Sequence, residues 1–195
     1  SVAFSTRNIC HKGHEFILNY LKSKYKNLFI VLIKTPENKY DPNFLEKSYE
    51  HLKKIKKSSF RIISIYLPLF LAGPREAFIQ SKVISNIGIT TFLIGRDHAG
   101  VKKFYNKYAS QKIFLRVKEK KPKIEKIKEP LLCLNCKKIK FSDGYKKCFN
   151  CLRKNNFIGI NGVNVKKLLL KKSNKVRNFL DDQMFSFIKK NRRLI

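Results

Sequence analysis

Short apolar segments alternate with amphipathic segments along the first hundred residues. Four apolar runs rich in β-branched residues lie near 2–5, 28–33, 60–66 and 90–94. Segments with apolar residues at helical spacing begin near residues 11, 44 and 73. Strands buried on both faces alternate with helices in α/β proteins, so this pattern predicts a parallel sheet with helical crossovers.

The remainder of the chain changes character at residue 118. Residues 118–130 are charged, contain two prolines and have few apolar positions, which predicts a linker or an exposed excursion. A cysteine-bearing segment follows, and apolar spacing then predicts helices over 163–171 and 176–190. We therefore predict an α/β domain over 1–117, a linker with a four-cysteine segment over 118–155, and a helical C-terminal segment over 156–195.

The composition suits a globular protein with an unusual charge. A hydrophobic content of 43% in 195 residues is enough for the core of one α/β domain with an appendage. The net charge of +31 suggests polyanionic partners such as nucleic acid, anionic membrane, phosphate or sulfate. Lysine is spread over the whole length, however, and no basic stretch carries a nucleic-acid fold motif. We attribute most of the charge to a compositional bias and do not expect a nucleic-acid partner.

Neither a membrane span nor a secretory leader is visible in the sequence. No apolar run reaches the ~18 residues that a membrane span needs. Arg7, Asn8 and His11 interrupt the apolar start, which excludes a signal peptide. Ser1 is not a Met, so the chain is processed or excerpted from a longer one. We expect no membrane partner and a cytoplasmic location.

Four of the five cysteines form a regular pattern. Cys133, Cys136, Cys148 and Cys151 make two C-x2-C pairs separated by eleven residues. Two such knuckles can surround a tetrahedral zinc ion in a small ribbon, as a structural site with no open position. Disulfides and free thiols are the alternatives, and disulfides are disfavoured because no secretory signal is present. Cys10 stands apart and is expected to line a turn.

The first fifteen residues combine a strand, a turn and the start of a helix. This arrangement binds phosphate in open α/β folds, because free backbone N–H groups and the positive end of the helix dipole point at the anion. His11 and His14 are three residues apart and share one face of the first turn, directly after Arg7 and Asn8. Helix capping or core packing is the alternative role for the two histidines. His51, among lysines, is expected to be a solvated bystander.

Three ordered motifs then resemble the ATP sulfurylase (sulfate adenylyltransferase) family. The first is Thr6-Arg7-Asn8-x-x-His11-x-x-His14-Glu15, and the others are Ala72-Gly73-Pro74-Arg75-Glu76-Ala77 and Gly95-Arg96-Asp97-His98-Ala99-Gly100. The resemblance extends from about residue 2 to about residue 170. It implies a Rossmann-like parallel-sheet nucleotidylyltransferase domain with a small zinc-ribbon-like insertion and a helical C-terminal segment. Residues 1–117 would then be its nucleotide-binding catalytic domain.

The resemblance also implies a reaction and a set of site residues. Sulfate attacks the α-phosphorus of MgATP, giving adenylylsulfate and pyrophosphate, while the protein positions the reactants and stabilises charge. The implied catalytic residues are Thr6, Arg7, Asn8, His11 and His14. The implied nucleotide-binding residues are Ser5, Thr6, Arg7, Asn8, Gly95, Arg96, Asp97 and His98. The implied sulfate contacts are Ser5, Arg7 and the N–H of Ala99.

The implied roles divide the site between its ligands. Arg7 would grip the oxyanion, with Thr6 and Asn8 on the α-phosphate. His11 and His14 would stabilise the leaving pyrophosphate, and Arg75 and Glu76 would only buttress the pocket. Because a single ATP has to touch both motif loops, we expect them to face one cleft.

Three departures leave the acceptor open. The family carries Gln where this chain has Ser5, and Pro where it has Ile9. Residues 159–166 only loosely echo a phosphate-contacting segment, with Lys166 keeping its charge. Apart from these three, the family's zinc site often ends in His, where this chain has Cys151. A working sulfurylase, an adenylyltransferase for another oxyanion and an inactive ATP-binding relative all remain compatible with the residues.

A basic zinc-ribbon protein that binds nucleic acid without catalysis is the rival hypothesis. The charge and the ribbon favour it, but it gives the arginine and histidine motifs no role. The expected partners are therefore ATP with magnesium, sulfate or another oxyanion, and pyrophosphate. A structural zinc ion is expected, and a homo-oligomer is left open.

Overall fold

The computed structural model describes residues 1–35, 40–101, 104–118, 121–142, 148, 151 and 156–191. The strands are β1 (Val2–Thr6), β2 (Leu28–Lys34), β3 (Arg61–Tyr66), β4 (Thr91–Ile94), β5 (Lys123–Lys126), β6 (Pro130–Cys133), β7 (Ile139–Phe141) and β8 (Phe157–Gly159). The α-helices are α1 (Lys12–Lys22), α2 (Pro42–Ile55), α3 (Pro74–Asn86), α4 (Ala109–Lys112), α5 (Gly162–Leu170) and α6 (Asp182–Lys190). Short 3₁₀ turns lie at Ile113–Leu115 and Asn174–Asn178.

The chain groups into two compact units. The first, called here the sheet unit, comprises Ser1–Thr6, Lys24–Glu37 and Phe60–Lys128. The second, called here the ribbon unit, comprises Arg7–Ser23, Asn38–Ser59 and Glu129–Ile195. Each unit takes segments from distant parts of the sequence.

The sheet unit contains a five-stranded parallel sheet. Its order is β3-β2-β1-β4-β5, and every neighbouring pair is parallel. The predicted α/β class with a parallel sheet is confirmed. Phe4 pairs with Leu93, so the ends of β1 and β4 are adjacent, as predicted.

One apolar cluster forms the core beside this sheet. Its buried members are Ala3, Val31, Ile84, Ile89, Phe92 and Ile94. β1, β2 and β4 each contribute at least one of them, and α3 contributes Ile84. The near-continuous apolar character of the central strands follows from this burial.

The edge strand β5 lies inside the segment that the sequence predicted to be a linker. Thr91 pairs with Lys123, and Ile124 packs against the core cluster. The prediction is wrong for these residues because an edge strand needs few apolar positions and tolerates many lysines. Residues 119 and 120 lie outside the described part of the chain.

The ribbon unit combines helices with a small antiparallel sheet. The sheet has the order β7-β6-β8. Phe16 and Tyr20 of α1 place their ring centroids 4.9 and 5.1 Å from the ring centroid of Phe141 in β7. This contact fixes α1 on the ribbon.

The C-terminal helices differ in part from the prediction. The helix predicted over 163–171 is α5, but the one predicted over 176–190 is divided into a 3₁₀ turn and α6. Asp181 causes the division, because its side chain accepts from the N–H of Gln183 and caps α6. The prediction that His51 is solvated is wrong, since its ring stacks on Phe187 of α6 with a centroid distance of 4.4 Å.

An ion cluster joins three elements of the ribbon unit. Lys56, after α2, lies 2.7 Å from Asp181 Oδ2 and 3.3 Å from Glu15 Oε2 of α1. Among the described residues, no helix is both long enough and apolar enough to cross a membrane.

Replacement of Ile84 by Ala tests the core of the sheet unit. The side chain is 1% exposed, so we expect the free energy of unfolding to fall by about 2–4 kcal/mol. Ile87 is 43% exposed at the end of the same helix, so Ile87→Ala should cost less than about 1 kcal/mol. Urea titration of both variants measures the difference, and equal losses would contradict this packing.

Candidate functional site

His11 caps the helix that follows the first strand. Its backbone is extended, and its Nδ1 accepts a hydrogen bond from the backbone N–H of His14 at 3.3 Å. The capping role that the sequence left as an alternative is therefore present. Because Nδ1 accepts, a neutral His11 carries its proton on Nε2, where it can donate to a ligand.

The two histidines form a buried stack. Their ring centroids are 3.7 Å apart, and the angle between the ring planes is 20°. The hydroxyl of Tyr49 lies 2.9 Å from Nδ1 of His14 and donates to the backbone carbonyl of Asn8 at 3.2 Å. The His14 ring is thus held by Tyr49 of α2 as well as by its stack on His11.

Burial decides the charge of this pair. It lowers the pKa of His11 to about 4. It also lowers the pKa of His14 well below its ordinary value, with the neighbouring His11 acting in the same direction. The rings are therefore neutral at pH 7 and offer oriented hydrogen bonds rather than positive charge.

A second helix N-terminus lies beside the first within the ribbon unit. A Cβ atom added to Gly162, the first residue of α5, would collide with the side-chain amide of Asn8. One added to Gly13 would come within 3.1 Å of the His11 ring and 3.2 Å of Ile160. Both glycines permit close approach, so the starts of α1 and α5 meet at Asn8 and His11. Helix N-termini carry partial positive charge and attract anions.

This position gives the loosely matching segment 159–166 a place in the site. Asn161 caps α5 by accepting from the backbone N–H of Asn164 at 2.9 Å. An Asn-Gly pair before an apolar run was the available signal for a helix start. Sequence reasoning noted only a loose match in this segment and the charge of Lys166, because its proximity to Asn8 depends on the tertiary structure.

The predicted motif loop after β4 has an unusual backbone. Asp97 and Ala99 have φ angles of 55° and 53°, which non-glycine residues rarely adopt. The Asp97 N–H donates to the Lys107 carbonyl at 2.6 Å, and the Gly100 N–H donates to the Asp97 carbonyl at 3.0 Å. Left-handed residues held by surrounding bonds are characteristic of functional loops.

A buried polar cluster in the sheet unit connects this loop to β1. Gln80 Oε1 lies 2.9 Å from His98 Nε2 and accepts from Ser5 Oγ at 3.4 Å, while Gln80 Nε2 donates to Glu76 at 3.3 Å. Sequence reasoning missed Gln80, although its spacing of four from Glu76 on α3 was an available signal.

The remaining predicted residues lie in or beside these two clusters. Thr6 is buried at the end of β1, and Arg7 and Asn8 are half-buried in the turn after it. Arg96 lies 3.9 Å from Asp97 Oδ2. A Cβ atom added to Gly95 would lie 4.0 Å from the side chain of Ile127, which is an ordinary van der Waals contact.

The four patterned cysteines come together in the ribbon unit. Cys133 and Cys151 have sulfurs 3.7 Å apart, Cys136 and Cys148 have sulfurs 3.5 Å apart, and all four sulfurs lie within 4.8 Å of one another. Zinc–sulfur bonds of about 2.3 Å in a tetrahedron require sulfur separations of about 3.8 Å. The residues therefore fit a structural zinc ion. Cys10 is buried in the turn, and burial raises its thiol pKa well above the ordinary value.

Comparison with known proteins identifies the family. A model of the ATP-sulfurylase family matches residues 1–191. The chain belongs to the ATP-sulfurylase family. The resemblance carried by the three motifs is thereby confirmed.

Curated relatives of this ATP-sulfurylase family member carry the name sulfate adenylyltransferase. That of Thermococcus onnurineus is 36% identical over 117 residues, which is 58% of this chain and 31% of that protein. That of Carboxydothermus hydrogenoformans is 33% identical over 141 residues, which is 69% of this chain and 37% of that protein. The chain spans about a third of the length of these relatives.

A solved structure shares the fold. A hexameric APS kinase from Thiobacillus denitrificans has a TM-score of 0.64 at 10% identity, over 97% of this chain and 35% of that chain. At this identity the likeness concerns the fold alone.

The neutral state of His11 predicts a pH dependence of stability. Unfolded His11 titrates near 6.5 and folded His11 near 4, so protonation favours the unfolded chain. The neutral state of His11 should therefore contribute fully to the free energy of unfolding above pH 6.5. On the order of 3 kcal/mol of that free energy should be lost as pH falls from 6.5 to 4. His11→Asn keeps a capping side chain and removes the titration, so its stability should fall less over this range. Urea unfolding at several pH values measures the difference.

His11→Ala is the matched control for capping. It should cost about 1 kcal/mol relative to His11→Asn at neutral pH, because Ala offers no acceptor to the His14 N–H. Parallel stability curves for the parent and His11→Asn would contradict a buried neutral imidazole.

The cysteine cluster predicts metal binding that one thiol can abolish. The parent should hold one zinc ion per chain, and its cobalt form should show the absorption of a tetrahedral thiolate site. Cys133→Ala should lose metal to a chelator that leaves the parent loaded. Cys10→Ala should retain it, since Cys10 is outside the cluster. Metal retention by Cys133→Ala would contradict the four-sulfur site.

Proposed function

We propose that this chain performs adenylyl transfer from MgATP to sulfate, releasing adenylylsulfate and pyrophosphate. Family membership and the names of its relatives support a nucleotidyltransferase. The observation that carries the proposal is the meeting of two helix N-termini at Asn8 and His11, beside the stacked His14. Backbone N–H groups and neutral imidazoles in this arrangement suit a polyphosphate.

The ribbon unit would act on the leaving group. Negative charge grows on the pyrophosphate as its bond to the α-phosphorus breaks. His11 can donate through Nε2, and the dipoles of α1 and α5 stabilise the same charge without any ionised histidine. The Nε2–H of His11, oriented by the capping bond at Nδ1, requires no reorganisation during the reaction.

The loop after β4 would hold the rest of the nucleotide. Left-handed Asp97 and Ala99 alternate with neighbours along this loop, a backbone arrangement that can turn N–H groups toward an anion. The missing side chain of Gly95 would permit a ligand to approach the backbone.

The acceptor half rests mainly on Arg7. Ser5 has one hydroxyl proton, which it donates to Gln80 Oε1 in this structure. The guanidinium of Arg7 and the N–H of Ala99 are then the proposed donors to sulfate or to another oxyanion. A homo-oligomer is included in the proposal, because the solved structure of similar fold is a hexameric APS kinase.

Pyrophosphate release from ATP, with and without sulfate, tests the proposal. We expect release to require sulfate in the parent and to be abolished in Arg7→Ala. His11→Asn keeps the cap, so it should lower turnover about a hundredfold through the lost donor. Its ATP affinity should change less than about threefold, since the charge of the leaving group develops only in the transition state. Calorimetry measures the affinity.

His51→Ala is the matched histidine control. His51 packs on Phe187 in the ribbon unit, so its loss should lower stability and leave turnover within about threefold. Ser5→Gln should lower the sulfate requirement if the short side chain weakens the acceptor site. ATP binding without pyrophosphate release in the presence of sulfate, selenate or molybdate would overturn catalysis by this chain.

A further inference from the structure

Gln80 is the centre of the buried polar cluster of the sheet unit. It is 3% exposed, and its partners Glu76 and Ser5 are 2% and 7% exposed. Buried polar groups of this kind are costly unless each finds a partner. Two hydrogen bonds of the Gln80 amide therefore join α3 to β1 and to the loop after β4, and a third, to Glu76, lies within α3.

The hydrogens of this cluster can be assigned from its contacts. The nitrogen of Gln80 donates to Glu76 Oε1, which turns its carbonyl oxygen toward His98 and Ser5. A carbonyl oxygen has only lone pairs, so His98 Nε2 and Ser5 Oγ must both be donors. A neutral His98 then carries its proton on Nε2 and leaves Nδ1 as an acceptor.

The ring of His98 is also held from other directions. The backbone carbonyl of His98 accepts a hydrogen bond from the Ser110 hydroxyl at 2.5 Å. The His98 and Phe92 rings form a T-shaped pair, with centroids 5.3 Å apart and an interplanar angle of 87°. The ring position is therefore set by packing, whereas the location of its proton is set by Gln80. Hydrogen-bond partners of this kind fix tautomers at functional histidines.

We propose that Gln80 is a positioning residue for the nucleotide, acting by holding His98 as its Nε2–H tautomer and by engaging the hydroxyl of Ser5. This inference rests on the proposed function, in which the loop after β4 binds ATP. Gln80 itself touches no substrate. It presents a ring whose donor and acceptor sides are already assigned before ATP arrives, which lowers the cost of binding.

Replacement of Gln80 by Met tests the proposal. Met has a similar length and shape but offers no strong hydrogen bond, so His98 should populate both neutral tautomers. Nitrogen-15 NMR of the histidine rings measures the tautomer, and His98→Asn identifies the signal among four histidines. ATP should bind about five- to tenfold more weakly, the effect of losing one oriented hydrogen bond, by calorimetry.

Gln111→Met is the matched control in the same unit. The Gln111 amide donates to the carbonyls of Ile94 and Ile127, so its loss should lower stability without changing the His98 tautomer. An unchanged tautomer in Gln80→Met would overturn the proposal whatever the activity. A changed tautomer with unchanged ATP affinity would overturn the positioning role. Failure of the parent to bind ATP would instead count against the proposed function, while the NMR result still decides the role of Gln80 in setting the tautomer.

Discussion

The pairing of β1 with β4 is the constraint on which the sheet unit depends. These strands are far apart in sequence and lie side by side because both are buried apolar segments of a parallel sheet. Their adjacent carboxyl ends place Ser5 and the loop that bears His98 close enough for Gln80 to reach both. Ligands bind at such strand ends throughout open α/β folds.

In the ribbon unit, the anion contact that we propose would need no ionised side chain in the interior. The histidines are buried and neutral, and the helix N-termini provide partial charge that needs no counter-ion. Two glycines permit the helix starts to approach His11 and Asn8. The phosphate contact that we propose therefore does not depend on the net charge of +31.

The same geometry bears on the choice between catalysis and nucleic-acid binding. A basic ribbon would need exposed lysines and no buried histidine stack. In the structure, a capping hydrogen bond, ring stacking and a hydrogen bond to Tyr49 hold the His11–His14 pair in place. Together with family membership, this favours a nucleotidyltransferase.

The sequence by itself determined the features that depend on local pattern. Apolar runs located the strands β1, β2, β3 and β4, and the C-x2-C pairs located the four clustered thiols. The ordered motifs located the turn after β1 and the loop after β4. These signals are readable because each needs only a few neighbouring residues. The spacing of the residues in each pattern follows from the strand, metal site or turn that they form.

The tertiary structure decided the features that depend on a distant partner. A lysine-rich stretch forms the edge strand β5 because it pairs with β4, and His51 is half-buried because its ring stacks on Phe187 of α6. Gln80 has its proposed role only because it contacts Ser5 and His98 in the folded chain. The segment that begins α5 enters the candidate site only because Gly162 lies against Asn8. Hydrogen bonds and burial between residues far apart in the chain leave no local pattern, so only the folded chain shows them.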